Sequence, residues 1–313
     1  MSNIELNRMG PISIIVFQLF LIIVVLCHVS NFIRGRHNLK IINGSVAKPG
    51  QFPSLVSLQL ENGEGHFCGG TIINAKHIFT AAHCIVAHNK DDIENKMIII
   101  AGDTRLKRNT TSSRQERYPE LIILHSYFNE FTLEDDAAII RITHRFQFNE
   151  FVHAVPLSKS KPGLGTVCVI AGWGVTSPNG KGPVSDKLLY AKVYVVEGDY
   201  CDYSPDYKFK PDKMICGGVL GGGTDVCTAD SGGPFYCDHE LKGVISRGIL
   251  PSARPKSGTT YSDVAYYRSW MDAAMSWDGK GPFPPFIKTN IGTESTGSIL
   301  LSLVLILLNK CFS

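Results

Sequence analysis

The chain has 313 residues, 44% of them hydrophobic, and a formal net charge of +3. That is enough chain for one large domain or two small ones. Its basic and acidic residues are interspersed, which gives no argument for nucleic-acid binding or for electrostatic attraction to a membrane.

Residues 12–27, ISIIVFQLFLIIVVLC, form an apolar run behind a short polar segment carrying Arg8. The pattern predicts a secretory leader over residues 1–30, cleaved near 27–30, with a retained signal anchor as the alternative. Either reading places the following domain in an oxidising compartment, where disulfides persist. Short strands rich in β-branched and aromatic residues are predicted at 54–60, 96–102, 120–128, 137–142, 166–174 and 188–196, separated by turn clusters such as SPNGKGP. One helix is predicted late, over 265–275, with Tyr266, Trp270 and Met271 on one face. Many short strands with a closing helix read as an all-β barrel or sandwich.

After Trp277 the composition becomes rich in Pro, Gly and Ser, predicting a stalk over 278–298. Residues 299–308, ILLSLVLILL, are too few to span a bilayer. Preceded by the small, polar TNIGTESTGS, the tail at 299–313 resembles the signal for a glycolipid anchor; a plain hydrophobic tail is the competing reading. NGS at 43–45 and NTT at 109–111 make Asn43 and Asn109 candidate glycosylation sites.

Of nine cysteines, Cys27 lies in the leader and Cys311 in the tail. The seven between them are widely spread, without a CxxC pair, so disulfides are expected rather than a zinc site, and the odd number leaves one over. A metal reading of Cys84 with His88 lacks a third and fourth ligand at zinc spacing. The glycine-rich GGVLGGGTD lacks the GK[ST] of a phosphate cradle. No metal or other cofactor is expected.

Ser231 stands in CTADSGGPF, where small neighbours let a carbonyl approach the backbone amides. A serine hydroxyl needs a base, and the base needs an orienting group. His83 in FTAAHC follows an apolar strand and precedes a cysteine that a bridge to Cys68 could clamp; the remaining histidines read as surface or incidental residues. In LEDDAAIIRI, Asp135 and Asp136 both stand at the mouth of a strand. Alternation allows only one to face His83, and the choice is Asp136.

IING (41–44), TAAHC, DAAII, CVIAGWG and DVCTADSGGP occur in the order found in the trypsin-like (chymotrypsin-fold) serine proteases, and the resemblance runs from Ile41 to about Trp277. It implies a protease domain over 41–277, built as two six-stranded antiparallel barrels with a C-terminal helix. It implies His83 as general base, Asp136 as its orienter, Ser231 as nucleophile, and the amides of Ala229 and Ser231 as oxyanion hole. Asp225 would be the floor of the primary pocket, and Ser246 and Gly248 would pair with substrate backbone, so that cleavage follows Arg or Lys. Lys40–Ile41 resembles a zymogen activation bond behind a short segment at 31–40, the freed Ile41 ammonium pairing with Asp230. The implied disulfides are Cys68–Cys84, Cys168–Cys237 and Cys201–Cys216. The implied partners are protein or peptide substrates, an activating trypsin-like protease and serpin-type or other inhibitors.

Four positions depart from the family pattern. Arg247 replaces a tryptophan, which suggests a preference for acidic residues upstream of the cleaved bond. Cys227 lacks its partner, since ILPSARPKSG (249–258) holds no cysteine. Thr259 aligns with a pocket-lining glycine unless the register shifts to Gly258. Ala229 stands where glycine is usual, and a left-handed backbone there would cost about 1–2 kcal/mol. These departures motivate a second reading, a catalytically weak or silent homologue serving as a binding module.

Overall fold

The computed structural model describes residues 44–61, 65–106, 112–204, 207–223, 225–226, 228–250, 252–280 and the backbone of 287–289. Lys40, Ile41, Asn43, Asn109, Cys227, the leader and the hydrophobic tail lie outside the described residues, as does most of the stalk.

The all-β expectation is met. Strands β1 (Ser45–Val46), β2 (Leu55–Leu60), β3 (Gly65–Asn74), β4 (His77–Thr80), β5 (Met97–Ala101), β6 (Gln115–Arg117), β7 (Pro119–His125) and β8 (Ala138–Ile142) come first. They are followed by β9 (Val167–Gly172), β10 (Leu189–Val195), β11 (Met214–Gly218), β12 (Pro234–Cys237), β13 (Glu240–Arg247), β14 (Thr259–Asp263) and β15 (Ile287–Thr289). Three α-helices are described, α1 (Ala82–Val86), α2 (Lys90–Asn95) and α3 (Val264–Ser276), with a 3-10 helix at Gly198–Cys201.

One antiparallel sheet runs β15-β7-β8-β4-β3-β2-β5-β6 and curls into a half-barrel. Its inner face packs Val56, Leu58, Ile72, Ile78, Ile99, Ile122 and Ile140, all essentially without exposure. In the other, β9 pairs with both β10 and β12, so β9, β10, β11, β14, β13 and β12 close into a six-stranded barrel, with β1 added outside on β10. Its core includes Ile170, Val193, Ile215, Phe235 and Tyr261, the last two rings stacked at 4.0 Å. The two-barrel expectation with a C-terminal helix is met by this barrel and by the first sheet, which curls into a half-barrel with β15 on β7 at one edge and β6 on β5 at the other among the described residues.

Disulfides join Cys68–Cys84, Cys168–Cys237 and Cys201–Cys216. Cys168 and Cys237 sit directly opposite in the β9–β12 register.

Helix α3 begins at an N-cap, Asp263, whose side chain accepts from the Ala265 N–H at 3.0 Å. It buries Val264, Tyr267, Trp270, Met271 and Ala274, spaced by three or four residues apart from the adjacent Trp270 and Met271. Tyr266 is 48% exposed, which corrects the expected face by one residue. Each helical step turns about 100°, and Tyr267 takes the inward position with its hydroxyl 3.1 Å from Asp135 Oδ1. This face packs on Phe79, Ile123 and Ile139 of the half-barrel and Val244 of the barrel, so the helix ties the two sheets together. Truncating its fully buried Met271 (Met271→Ala) should lower the unfolding free energy by about 2–5 kcal/mol; urea titration should show a lower midpoint.

Candidate active site

The pairing of Thr80 with Ala138 in the β4–β8 register determines what lies beside the strand ends. Continued antiparallel, it carries the chain after Thr80 past the chain before Ala138, bringing His83 beside Asp136. His83 lies in α1, whose Cys84 is bridged to Cys68 of β3. Asp136 is fully buried, and its carboxylate is filled by hydrogen bonds. Oδ1 accepts from the His83 backbone N–H at 2.8 Å, and Oδ2 lies 2.7 Å from His83 Nδ1 and accepts from Ser246 Oγ–H at 2.6 Å. The Asp136 carbonyl accepts from Ser262 Oγ at 2.7 Å. Asp135, with φ of 54°, turns away to Lys213 Nζ at 3.0 Å and the Tyr267 hydroxyl. Burial of the His83 ring lowers its pKa, but the Asp136 charge and hydrogen bond outweigh that and hold it above the ordinary histidine value.

Ser231 belongs to a segment wedged between the sheets. Its carbonyl accepts from the Gly69 N–H at 2.8 Å, and the Gly232 N–H donates to the Ile245 carbonyl at 2.8 Å. Gly232 has φ of +72°, and a Cβ there would collide with Thr80 Oγ1 and the Gly69 carbonyl. Glycine at 232 therefore lets the serine segment press against Thr80 and Ala81, two residues from His83. Gly69 is required in the same way, since a Cβ would lie 2.8 Å from Gly233 Cα. Ser231 Oγ makes no hydrogen bond to His83 in this structure; such contacts tighten when substrate arrives.

Ala229 has φ of 71°, the left-handed conformation. His66 Nε2 lies 3.0 Å from the Ala229 carbonyl oxygen, and His66 Nδ1 lies 2.7 Å from Ser57 Oγ. Burial holds the His66 pKa down at about 4, only partly offset by the Ala229 carbonyl, so the ring is neutral near pH 7 and its Nε2–H can donate to that carbonyl. The amides of Ala229 and Ser231 donate to no acceptor among the described residues. Both residues line a cavity of about 260 Å³ together with Val226, Ser246, Arg247, Gly248, Leu250 and Ser252. His66, His77 and His125 are all buried, which corrects the reading of the other histidines as surface or incidental residues. Nothing around His66 in the sequence marks it; its role comes from a partner 163 positions away.

Asp230 is buried, and its Oδ1 accepts from the Gly174 N–H at 2.8 Å. A side chain at Gly172 or Gly174 would collide with its carboxylate. Asp225 is 2% exposed, and its Oδ1 accepts from Thr259 Oγ1–H at 2.7 Å and from the Val226 N–H at 2.9 Å. Gly258 instead packs against the Cys201–Cys216 bridge, so it is Thr259 that faces Asp225. Burial raises the Asp225 pKa above the ordinary carboxylate value, and the three hydrogen bonds it accepts, including one from the Ala253 N–H, partly offset this. The Arg247 guanidinium stacks over Tyr207, 4.5 Å from the ring centroid, and makes no ion pair among the described residues. Cys68, His83 and Cys84 bring potential metal-ligand atoms together, but both sulfurs are spent in the disulfide.

The arrangement provides an imidazole oriented by a buried carboxylate and, lining one cavity, a serine and two backbone N–H groups without an acceptor among the described residues, the parts required for acyl transfer. The family model described as Trypsin matches residues 41–271. Trypsin I-P1 of Gallus gallus is 34% identical over 237 residues, covering 76% of this chain and 90% of that protein. The alpha- and beta-fibrinogenase OhS1 of Ophiophagus hannah is 32% identical over 241 residues, covering 76% of this chain and 86% of that protein. Trypsin zeta of Drosophila melanogaster is 32% identical over 252 residues, covering 76% and 86%. With this fold, and with likeness running through nearly the whole length of such relatives, the chain belongs to the trypsin family of serine endopeptidases.

Proposed function

We propose that this endopeptidase is made as a zymogen, is cleaved at Lys40–Ile41, and hydrolyses peptide bonds after Lys or Arg through an acyl-enzyme. The observation that carries this reading is Asp136, whose Oδ2 lies 2.7 Å from His83 Nδ1 beside the Ser231 segment. Asp136 keeps the proton on Nδ1, leaving Nε2 to accept the Ser231 proton as Oγ attacks the scissile carbonyl carbon. The oxygen becomes an anion held by the Ala229 and Ser231 N–H groups, each donor worth about 2.7–4 kcal/mol in the transition state. His83 then passes its proton to the departing amine, and water repeats the cycle on the acyl-serine. Asp225 supplies the negative charge that favours a basic side chain in the primary pocket.

The activation step would release the Ile41 ammonium to meet Asp230, a carboxylate too deeply buried to be left without compensating charge or donors. Three disulfides fit work outside the cell, where thiols oxidise. No helix among the described residues is long and apolar enough to cross a membrane. We assign attachment, if cells retain the protein, to a glycolipid replacing 299–313, and glycosylation to Asn109 and Asn43.

Three measurements test this reading. An organophosphonate should label Ser231 in the Lys40-cleaved protein, with His83→Ala reducing the labelling rate by at least about a thousand-fold; a folded, cleaved protein that stays unlabelled would overturn it. The acid limb of the kcat/KM–pH profile should have its midpoint above 6.5. The sign follows from the raised His83 pKa: below it the imidazolium cannot accept a proton, so activity falls as pH drops through that value. Finally, the stacked Arg247 should favour acidic residues upstream of the cleaved bond, by about three- to ten-fold over neutral ones. Arg247→Gln should remove this preference; equal turnover of matched acidic and neutral peptides by the unaltered enzyme would refute it.

A further inference from the structure

We infer that Thr259, rather than Asp225, meets the substrate side chain at the floor of the primary pocket, and that it makes this enzyme prefer Lys to Arg before the cleaved bond. The inference rests on the endopeptidase reading above and deepens it. The Asp225 carboxylate is already engaged from three directions: Oδ1 by Thr259 Oγ1 at 2.7 Å and the Val226 N–H at 2.9 Å, Oδ2 by the Ala253 N–H at 3.2 Å. The cavity beside Ser231 is lined in part by Val226, Gly248, Leu250 and Ser252, and neither Asp225 nor Thr259 forms part of its surface. A Cβ built on Gly248 would come within 3.3 Å of Thr259 Oγ1. The hydroxyl therefore lies close behind Gly248 and against Asp225 Oδ1, and since Thr259 is fully buried a substrate side chain meets it by deepening the cavity past Gly248.

The chemistry of that hydroxyl sets the preference. Its proton is donated to an anion, so towards the cavity it offers lone pairs and acts as an acceptor polarised by Asp225. A lysine ammonium is compact and can give one of its donors to a single oxygen, while still feeling the carboxylate one atom further on. An arginine guanidinium is longer, and its fork is satisfied by two acceptors in one plane, the edge of a carboxylate. That edge is partly occupied by Thr259, and the Thr259 side chain shortens the approach to it. Arginine thus loses both depth and its second acceptor, whereas lysine loses neither.

The test uses the Lys40-cleaved enzyme, titrated with an organophosphonate to count active sites, and peptides differing only in Lys, Arg or Ala before the cleaved bond. We expect kcat/KM for Lys to exceed that for Arg by about ten-fold. Thr259→Gly should reverse that order, with most of the gain for Arg in KM. A second measurement needs no variant: butylammonium should compete with substrate more strongly than propylguanidinium. A titratable enzyme that cleaves after Arg as well as Lys overturns the inference while leaving the proposed function intact, and one that cleaves best after Ala overturns both the inference and the Lys-or-Arg specificity. An unchanged Lys-to-Arg ratio in titratable Thr259→Gly also overturns it, as does stronger competition by propylguanidinium. A protein that neither titrates nor cleaves any of the three peptides overturns both readings.

Discussion

The Asp136 carboxylate is the interaction on which the rest depends. A buried carboxylate is tolerated only when its lone pairs are filled, and here two donors come from His83 in the half-barrel and one from Ser246 in the barrel. The same residue offers its carbonyl to Ser262 of β14. One side chain thus orients the imidazole and requires the two sheets to dock in a single relative position. Breaking such a buried network by removing one partner costs about 3–5 kcal/mol, so the geometry of the site and the stability of the docking are the same quantity seen twice. Helix α3 supports this arrangement from behind, since Tyr267 bonds Asp135 next door.

Ala229 shows how the fold tolerates a local conflict. The left-handed backbone costs an alanine about 1–2 kcal/mol, yet the residue adopts it. The His66 ring, steadied by Ser57, lies within hydrogen-bonding distance of the Ala229 carbonyl, and Asp230 next along is anchored by the Gly174 amide. These contacts hold the 229–230 peptide and the Asp230 side chain, and so fix the left-handed turn at Ala229 from its C-terminal side. The cost of the methyl group is therefore carried by these neighbouring contacts as a loss of stability.

How much of this was legible in the sequence depended on how far each contact reaches. Strands with continuous β-branched runs, such as β5 and β8, were readable, because their burial on both faces follows from composition. The β3 strand was not, since Gly69 and Gly70 weaken its pattern; at Gly69 the reason is the Gly233 backbone lying against it from the other sheet. The helix was found but its face was misplaced by one residue, because Tyr266 and Tyr267 are equivalent until Asp135 claims one hydroxyl. His83, Asp136 and Ser231 stood out through their local motifs. His66 and the pairing of Thr259 with Asp225 did not, since each acquires meaning only from a residue brought near by the fold.

The pocket wall illustrates the same point in its covalent economy. The segment from Arg247 to Gly258 has no cysteine to tie it to the serine loop, and its two ends must still be held for Thr259 to keep its place. Tyr203 meets that need: its hydroxyl lies 2.9 Å from the Arg247 carbonyl, 3.1 Å from the Gly258 carbonyl and 3.0 Å from Thr260 Oγ1. Burial raises the pKa of this phenol, so it remains a donor at any pH where the enzyme would work. The neighbouring Cys201–Cys216 bridge fixes the turn carrying Tyr203 and also packs on Gly258. A hydrogen-bonded hydroxyl thus spans the loop ends, and the ring of Tyr207, stacked beside it at 5.0 Å, supports Arg247. Arg247 and Thr259 consequently share one mechanical support, and a change at Tyr203 would reach both.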